Sequence, residues 1–123
     1  MSLQDLMSDF VARINNAVMV GNENVVVLKN NLVIEVSKKL VTLGYLEGFE
    51  EQERTLTLQI KLNGISSIKR YSKPGHRQYF SYKEFPKIIN GMGYNILTTS
   101  KGVKTNIEAK EKKLGGELLF TIF

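Results

Sequence analysis

At 123 residues and 42% hydrophobic content, the chain has room for one domain or two very small ones with real cores, which argues against global disorder. With no cysteine and His76 as its single histidine, it excludes disulfides, thiolate or His-based metal centres and a Cys nucleophile, so neither metal nor cofactor is expected. Its net charge of +5 is unevenly placed: residues 1–63 hold four Lys and two Arg against eight Asp and Glu, a balance of −2, whereas 64–123 hold nine Lys and two Arg against four Glu, a balance of +7.

Leu3, Leu6, Met7, Phe10, Ile14, Ala17 and Val18 recur at three- and four-residue spacing, which predicts an amphipathic helix over 2–20 with Gly21 just past its end. Asp5 and Asp9 fall in its first half, where the helix dipole favours carboxylates. Arg13, Asn15 and Asn16 fall on its polar side. The β-branched run Val25-Val26-Val27 predicts a short strand over 24–29. Asn30-Asn31 then offers a cap for a second helix, 32–43, whose stripe is Leu32, Val33, Val36, Leu40 and Leu43 and whose end is Gly44. Residues 45–51 suit a strand, and Glu50 to Arg54 a charged hairpin loop. Leu56, Leu58, Ile60 and Leu62 alternate with Thr55, Thr57, Gln59 and Lys61, the pattern of a half-buried strand. Asn63-Gly64 is a turn signal and the expected domain boundary. The first domain, 1–63, is thus an α-β-α-β-β layer of helices on a sheet.

The second domain, 64–123, reads as mostly antiparallel β with one short helix, making the whole an α+β fold of two small domains. Residues 65–71 are strand-like, Ser72-Lys73-Pro74-Gly75 is a type II turn signal, and 76–80 return as a second strand. This hairpin interleaves Lys69, Arg70, Lys73 and Arg77 with Tyr71, Tyr79, Phe80 and Tyr82. Cations suit phosphates and aromatics suit sugars or bases, although the same aromatics also suit a core with the cations facing solvent. Lys83 to Pro86 is a break, and 87–90 a single helical turn. A strand over 94–97 then runs into Thr98-Thr99-Ser100-Lys101-Gly102. Hydroxyls donate and accept in little space, Lys101 adds a point charge suited to phosphate, and Gly102 permits a sharp turn or a close approach. The stretch reads either as a polar turn before a helix or as an edge pressed against a polar ligand. Thr105 and Glu108 form a capping-box pattern that opens a helix over 106–114. Gly115-Gly116 stops that helix, and 117–123 is a final strand.

The asymmetry of charge points to a polyanion bound mainly by the second half. No catalytic constellation accompanies it. Gly91-x-Gly93 lacks a third glycine at dinucleotide spacing, and no Walker lysine context occurs. Thr98, Thr99 and Ser100 have no base, since His76 lies among cations that oppose its protonation. An enzyme is not expected. No apolar run approaches the roughly 20 residues that span a bilayer, and neither a signal peptide nor a transit pattern is evident, so no membrane partner is expected.

Ser72-Lys73-Pro74-Gly75, Arg77-x-Tyr79, Asn90-Gly91-x-Gly93, Thr98-Thr99-Ser100-x-Gly102-Val103 and Gly115-Gly116-Glu117 follow one another in collinear order. Together they resemble ribosomal protein eight of the bacterial-type small subunit. Asp9-Phe10-x-x-Arg13-Ile14-x-Asn16-Ala17 and Gly44-Tyr45-Leu46 resemble the same family more loosely, so the likeness covers essentially the whole chain. The resemblance implies a structural constituent of the small subunit that binds the central domain of its rRNA early in assembly, beside small-subunit proteins five and twelve. It also implies a second domain that grips an irregular RNA helix across its minor groove, a wide and shallow surface lined with 2′-hydroxyls. On that reading the RNA-binding residues are Thr98, Thr99, Ser100, Lys101, Gly102 and Glu117. Lys73, Pro74, Gly75, Arg77, Tyr79, Lys69 and Arg70 of the basic hairpin join them, with Arg13 and Lys29 as candidates in the first domain.

The sequence departs from the family where Thr98 replaces the usual Ser and where Leu28-Lys29-Asn30-Asn31 and Val33 replace a more basic pattern. The first domain has lost positive charge at places where the family touches RNA. An RNA-binding translational repressor, recognising an mRNA that mimics the rRNA site, is the alternative reading. Thirteen Lys to four Arg, with ten Asn and ten Ile, reads as an AT-rich coding genome. That composition favours a ribosome of the mitochondrial matrix, with a bacterial cytoplasm as the alternative.

Overall fold

The three helices among the described residues, α1 (Leu3–Val20), α2 (Asn31–Leu43) and α3 (Asn106–Glu111), close with the same backbone device. In a Schellman ending two amides past the last turn reach back to carbonyls that would otherwise go unmet. Gly21 and Asn22 donate to Val18 and Ala17, Gly44 and Tyr45 to Val41 and Leu40, and Lys113 and Leu114 to Lys110 and Ala109. Glycine supplies the left-handed residue in the first two, as the sequence suggests. In α3 that residue is Lys113, at φ 55°. The helix therefore stops at Glu111 instead of running to residue 114, and Gly115-Gly116 are left for another purpose.

The computed structural model describes residues 3–61, 63–70, 75, 77–86 and 93–123. The predicted turn over 72–74, the helical turn over 87–90 and the apolar position Leu62 lie outside these residues. The chain divides into two compact units, Met1–Ile68 and Lys69–Phe123. No charged residue falls between Gly64 and Ile68, so the balances of −2 and +7 apply to these units unchanged. No helix among the described residues is long and apolar enough to cross a membrane.

In the first unit, β1 (Asn24–Leu28), β2 (Leu46–Glu51) and β3 (Thr55–Ile60) form an antiparallel sheet in the order β1-β3-β2. The alternation along β3 is realised: Leu56, Leu58 and Ile60 are buried, and Thr55, Thr57 and Gln59 are partly exposed. Helix α1 packs on β1 and α2 on β2. The core they share holds Met7, Phe10, Ile14, Val33, Val36 and Leu40. Asn30 caps α2 by accepting from the Val33 amide at 2.8 Å. Asn15, expected on a plain polar face, has a structural task. Its amide donates to the Ile68 carbonyl at 2.9 Å and accepts from the Ile68 N–H at 3.0 Å, pairing with that residue as a strand would.

The second unit is built on β8 (Gly116–Ile122). One edge of β8 pairs with β6 (Tyr94–Thr99), which pairs in turn with β7 (Gly102–Thr105). The other edge takes β4 (Ile68–Arg70) and β5 (Tyr79–Phe80). Strands β4 and β5 are shorter than the apolar and basic runs around them suggest. Strand β7 corrects the sequence reading more substantially. The stretch before α3 is not a single polar turn, because β6 continues through Thr99 and the chain doubles back as a hairpin. Val103 and Thr105 alternate into the core there, and Thr105 also completes the expected capping box. Its N–H donates to Glu108 Oε1 at 3.1 Å and its hydroxyl accepts from the Glu108 N–H at 3.2 Å.

A buried polar cluster fastens this sheet to the loop before it. Asn95 is fully buried, donates from Nδ2 to the Pro86 carbonyl at 2.9 Å and accepts from the Thr121 hydroxyl at 2.6 Å. Asn95→Ala leaves the buried Thr121 hydroxyl and the half-buried Pro86 carbonyl without their partner, and a buried group left without its bond costs about 1–3 kcal/mol. Urea unfolding should show that loss as a lower midpoint at unchanged slope; an unchanged midpoint would show that the cluster is not structural.

Candidate nucleic-acid interface

Gly116 governs how closely β8 approaches β6. A Cβ there would sit 2.3 Å from the Thr98 carbonyl oxygen and 3.1 Å from Thr99 Cγ2. At Gly115 it would sit 2.7 Å from the Phe80 carbonyl oxygen. The two glycines thus serve close backbone contact on both edges of β8.

The register then decides what faces what. From Tyr94 to Ile96 the partners on β8 are Ile122, Thr121 and Phe120, but Leu97 faces Leu118 and Thr98 faces Glu117. Leu119 is the extra residue, a bulge that offsets all pairing beyond it. Without that offset Thr98 would lie opposite Leu118 and an apolar side chain would stand where the carboxylate is. Tyr79 pairs with Glu117 from the other edge. Directly opposed residues of antiparallel strands project to the same face. Tyr79, Glu117 and Thr98 therefore form one row across three strands. Exposure falls along it, from 65% at Tyr79 to 7% at Glu117, and Thr98 is partly exposed.

Beside this row stands the β6–β7 hairpin, in which Thr99 pairs with Gly102 and Ser100-Lys101 form the two-residue tip. Thr99 is spent on the turn itself: its hydroxyl donates to the Gly102 carbonyl at 2.8 Å and accepts from the Lys101 N–H at 3.1 Å. Gly102 adopts φ +98°, a left-handed conformation that costs a glycine nothing. Ser100 and Lys101 are exposed. Of the three hydroxyls in the sequence motif, that of Thr99 braces the loop, while Ser100 is exposed and Thr98 partly exposed.

The remaining sequence-named positions divide clearly. Lys69, Gly75 and Arg77 are exposed on the second unit, and Lys73 and Pro74 lie outside the described residues. Arg70 is only partly exposed, and both its terminal nitrogens are buried. The two first-unit candidates are engaged at home. Arg13 donates from Nε to both Asp9 carboxylate oxygens at 2.8 and 3.0 Å, and from Nη1 to the Val26 carbonyl at 3.2 Å. Lys29 pairs with Glu51 at 2.8 Å and with the Gln52 carbonyl. The sequence reading missed the Leu119 bulge and the Asn95 cluster. The unbroken run Leu118-Leu119-Phe120, where alternation should have shown, was the available sign of the bulge.

Residues 5–123 match the model of the family described as Ribosomal protein S8. The chain belongs to that family. A small ribosomal subunit protein uS8c of Tupiella akineta is 41% identical over 98% of this chain and 99% of its own length. The uS8 proteins of Porphyromonas gingivalis and of an Anaeromyxobacter strain are 35% and 38% identical, covering 98% and 100% of the chain and all of their own lengths. The S8 family is one of ribosomal proteins, and its relatives here are bacterial and organellar.

Two outcomes follow from this geometry. Gly116→Ala forces a Cβ against backbone, which has no rotamer with which to yield, so it should destabilise the protein by about 2 kcal/mol or more; a thermal melt identical to the parent would contradict the close approach. The Lys29 ammonium, by hydrogen bond and then by charge, holds the Glu51 carboxyl below the usual carboxylate range. A depressed folded value means that the stabilisation is present above the ordinary carboxylate pKa and lost as pH falls through the folded one. In Lys29→Ala the NMR titration of Glu51 should return upward toward the ordinary range, and an unmoved titration would refute the pairing.

Proposed function

We propose that the protein is a structural constituent of the small ribosomal subunit that binds the central domain of its rRNA directly through residues 69–123 and helps that domain to assemble. The observation that carries this reading is the row Tyr79–Glu117–Thr98 beside the exposed Ser100-Lys101 tip, on a unit of balance +7. Such a surface offers short hydroxyls, backbone and a carboxylate acceptor at its centre and cations around it. The RNA minor groove presents 2′-hydroxyls and base edges at shallow depth between phosphates. Thr98 and Ser100 suit the hydroxyls, Glu117 suits a base amino group, and Lys69, Lys73, Arg77 and Lys101 suit phosphates. Tyr79 supplies an aromatic face for a sugar or base.

Neighbouring small-subunit proteins complete the expected surroundings. The composition supports a mitochondrial ribosome and the bacterial relatives a bacterial one, either of which presents the same kind of RNA groove. Arg13 and Lys29 contribute less to RNA on this reading, because carboxylates already neutralise them.

Binding of the full chain to a central-domain helix from its own small-subunit rRNA tests the proposal. Ser100→Ala should weaken binding by roughly 1–2 kcal/mol, the scale of a lost hydrogen bond to a group left unsatisfied. Lys101→Ala should weaken binding to any RNA and shrink the slope of log K against log salt by about one contact. Equal affinity of the parent and Ser100→Ala for the cognate helix would refute the role of the hairpin tip.

A further inference from the structure

Lys110, Lys112 and Lys113 gather at the C-terminal end of α3, where cations suit the helix dipole. All three are exposed, and none is ion-paired with a described carboxylate. Of the two carboxylates on this helix, Glu108 is spent on the capping box and Glu111 is outnumbered. Lys113 also supplies the left-handed residue that ends the helix, at φ 55°. A side chain at that place costs more than glycine, the usual occupant. Backbone strain of this kind persists where something else requires the residue.

The course of the chain brings these lysines to the row. Strand β7 runs from Gly102, opposite Thr99, to Thr105, opposite Ile96, so α3 opens away from the hairpin tip. There the Asn106 side chain accepts from the Asn95 N–H at 3.2 Å. The chain must then return, because β8 begins at Gly116 against the Thr98 carbonyl. Lys113 lies three residues before Gly116 and so within about 11 Å of it. The hairpin tip with Lys101 and the end of α3 thus both adjoin the end of the sheet that holds Thr98 and Glu117.

We infer that Lys110, Lys112 and Lys113 form a second phosphate-binding patch, which holds the RNA backbone beside the groove that the row enters. The inference rests on the RNA-binding reading of this surface. Hydroxyls and a carboxylate at the groove floor select the RNA, while phosphate contacts fix its register and supply much of the affinity. Glycine at 113 would close the helix at lower cost but forfeit one of the cations.

Binding of the full chain to the cognate central-domain helix and to an unrelated RNA duplex should be measured across salt concentrations. The forms compared are the parent, Ser100→Ala, Lys113→Gly, and a variant combining Lys110→Gln with Lys112→Gln. Lys113→Gly should unfold at a higher urea concentration than the parent yet bind both RNAs about fivefold more weakly at about 0.1 M salt, with the slope of log K against log salt reduced by about one contact. The combined variant should lose about two contacts from the slope and keep the parent's preference for the cognate helix. Ser100→Ala should do the reverse, keeping the slope and losing preference. Unchanged affinity and slope in both lysine variants, with Ser100→Ala weakened, would overturn this inference alone and leave the lysines as a helix ending. A parent that prefers neither RNA would overturn the reading of the row and this inference with it.

Discussion

The contact on which the second unit depends is one of backbone against backbone, where β8 meets β6 at Gly116 and the Thr98 carbonyl with 2.3 Å between that oxygen and the place a Cβ would take. Close approach at this point fixes the start of β8. The bulge at Leu119 then offsets the pairing, so that Leu118, Leu119 and Phe120 are all buried while Glu117 still comes to lie opposite Thr98. A carboxylate is thereby delivered to the middle of a sheet, flanked by a hydroxyl and a phenol. None of these side chains needs a long loop to reach its place. A site held on strands is more exact than one held on loops.

The charges are sorted differently in the two units. In the first unit Arg13 and Lys29 face Asp9 and Glu51 and help to tie helix, strand and hairpin together. Exposed pairs of this kind add little to stability, but they neutralise cations that would otherwise attract a polyanion. The second unit carries Lys69, Arg77 and Lys101 at the surface, with Arg70 drawn inside.

Much of the fold was legible because local rules agreed with one another. Gly21 and Gly44 end their helices, Thr105 and Glu108 cap theirs reciprocally, and β3 alternates as a half-buried strand should. The misreadings arose where a residue had two possible uses. Gly115-Gly116 looked like a helix stop, yet Lys113 ends α3 and the glycines serve interstrand contact. Thr98 to Gly102 read either as a polar turn or as an edge, and three of its five residues, Thr98, Thr99 and Gly102, lie in strands. Thr99, named as RNA-binding on the resemblance, also braces the turn with its hydroxyl. Spacing along a chain does not tell which neighbour across a sheet a side chain will meet, and the bulge that decides this was visible only as an unbroken apolar run. The structure divides the residues named from sequence into those that stand exposed, such as Lys69, Arg77, Ser100 and Lys101, and those engaged within the fold, such as Arg13, Lys29 and Thr99.

Mapping amide chemical shifts of the isotope-labelled protein, as a central-domain helix of its own small-subunit rRNA is added, tests the central claim most directly. The account predicts that the largest changes cluster on Tyr79, Thr98 to Gly102, and Gly116 and Glu117, with little movement at Asp9, Arg13 and Lys29. Changes concentrated on the first unit, with the β6–β7 hairpin and the start of β8 unmoved, would contradict it.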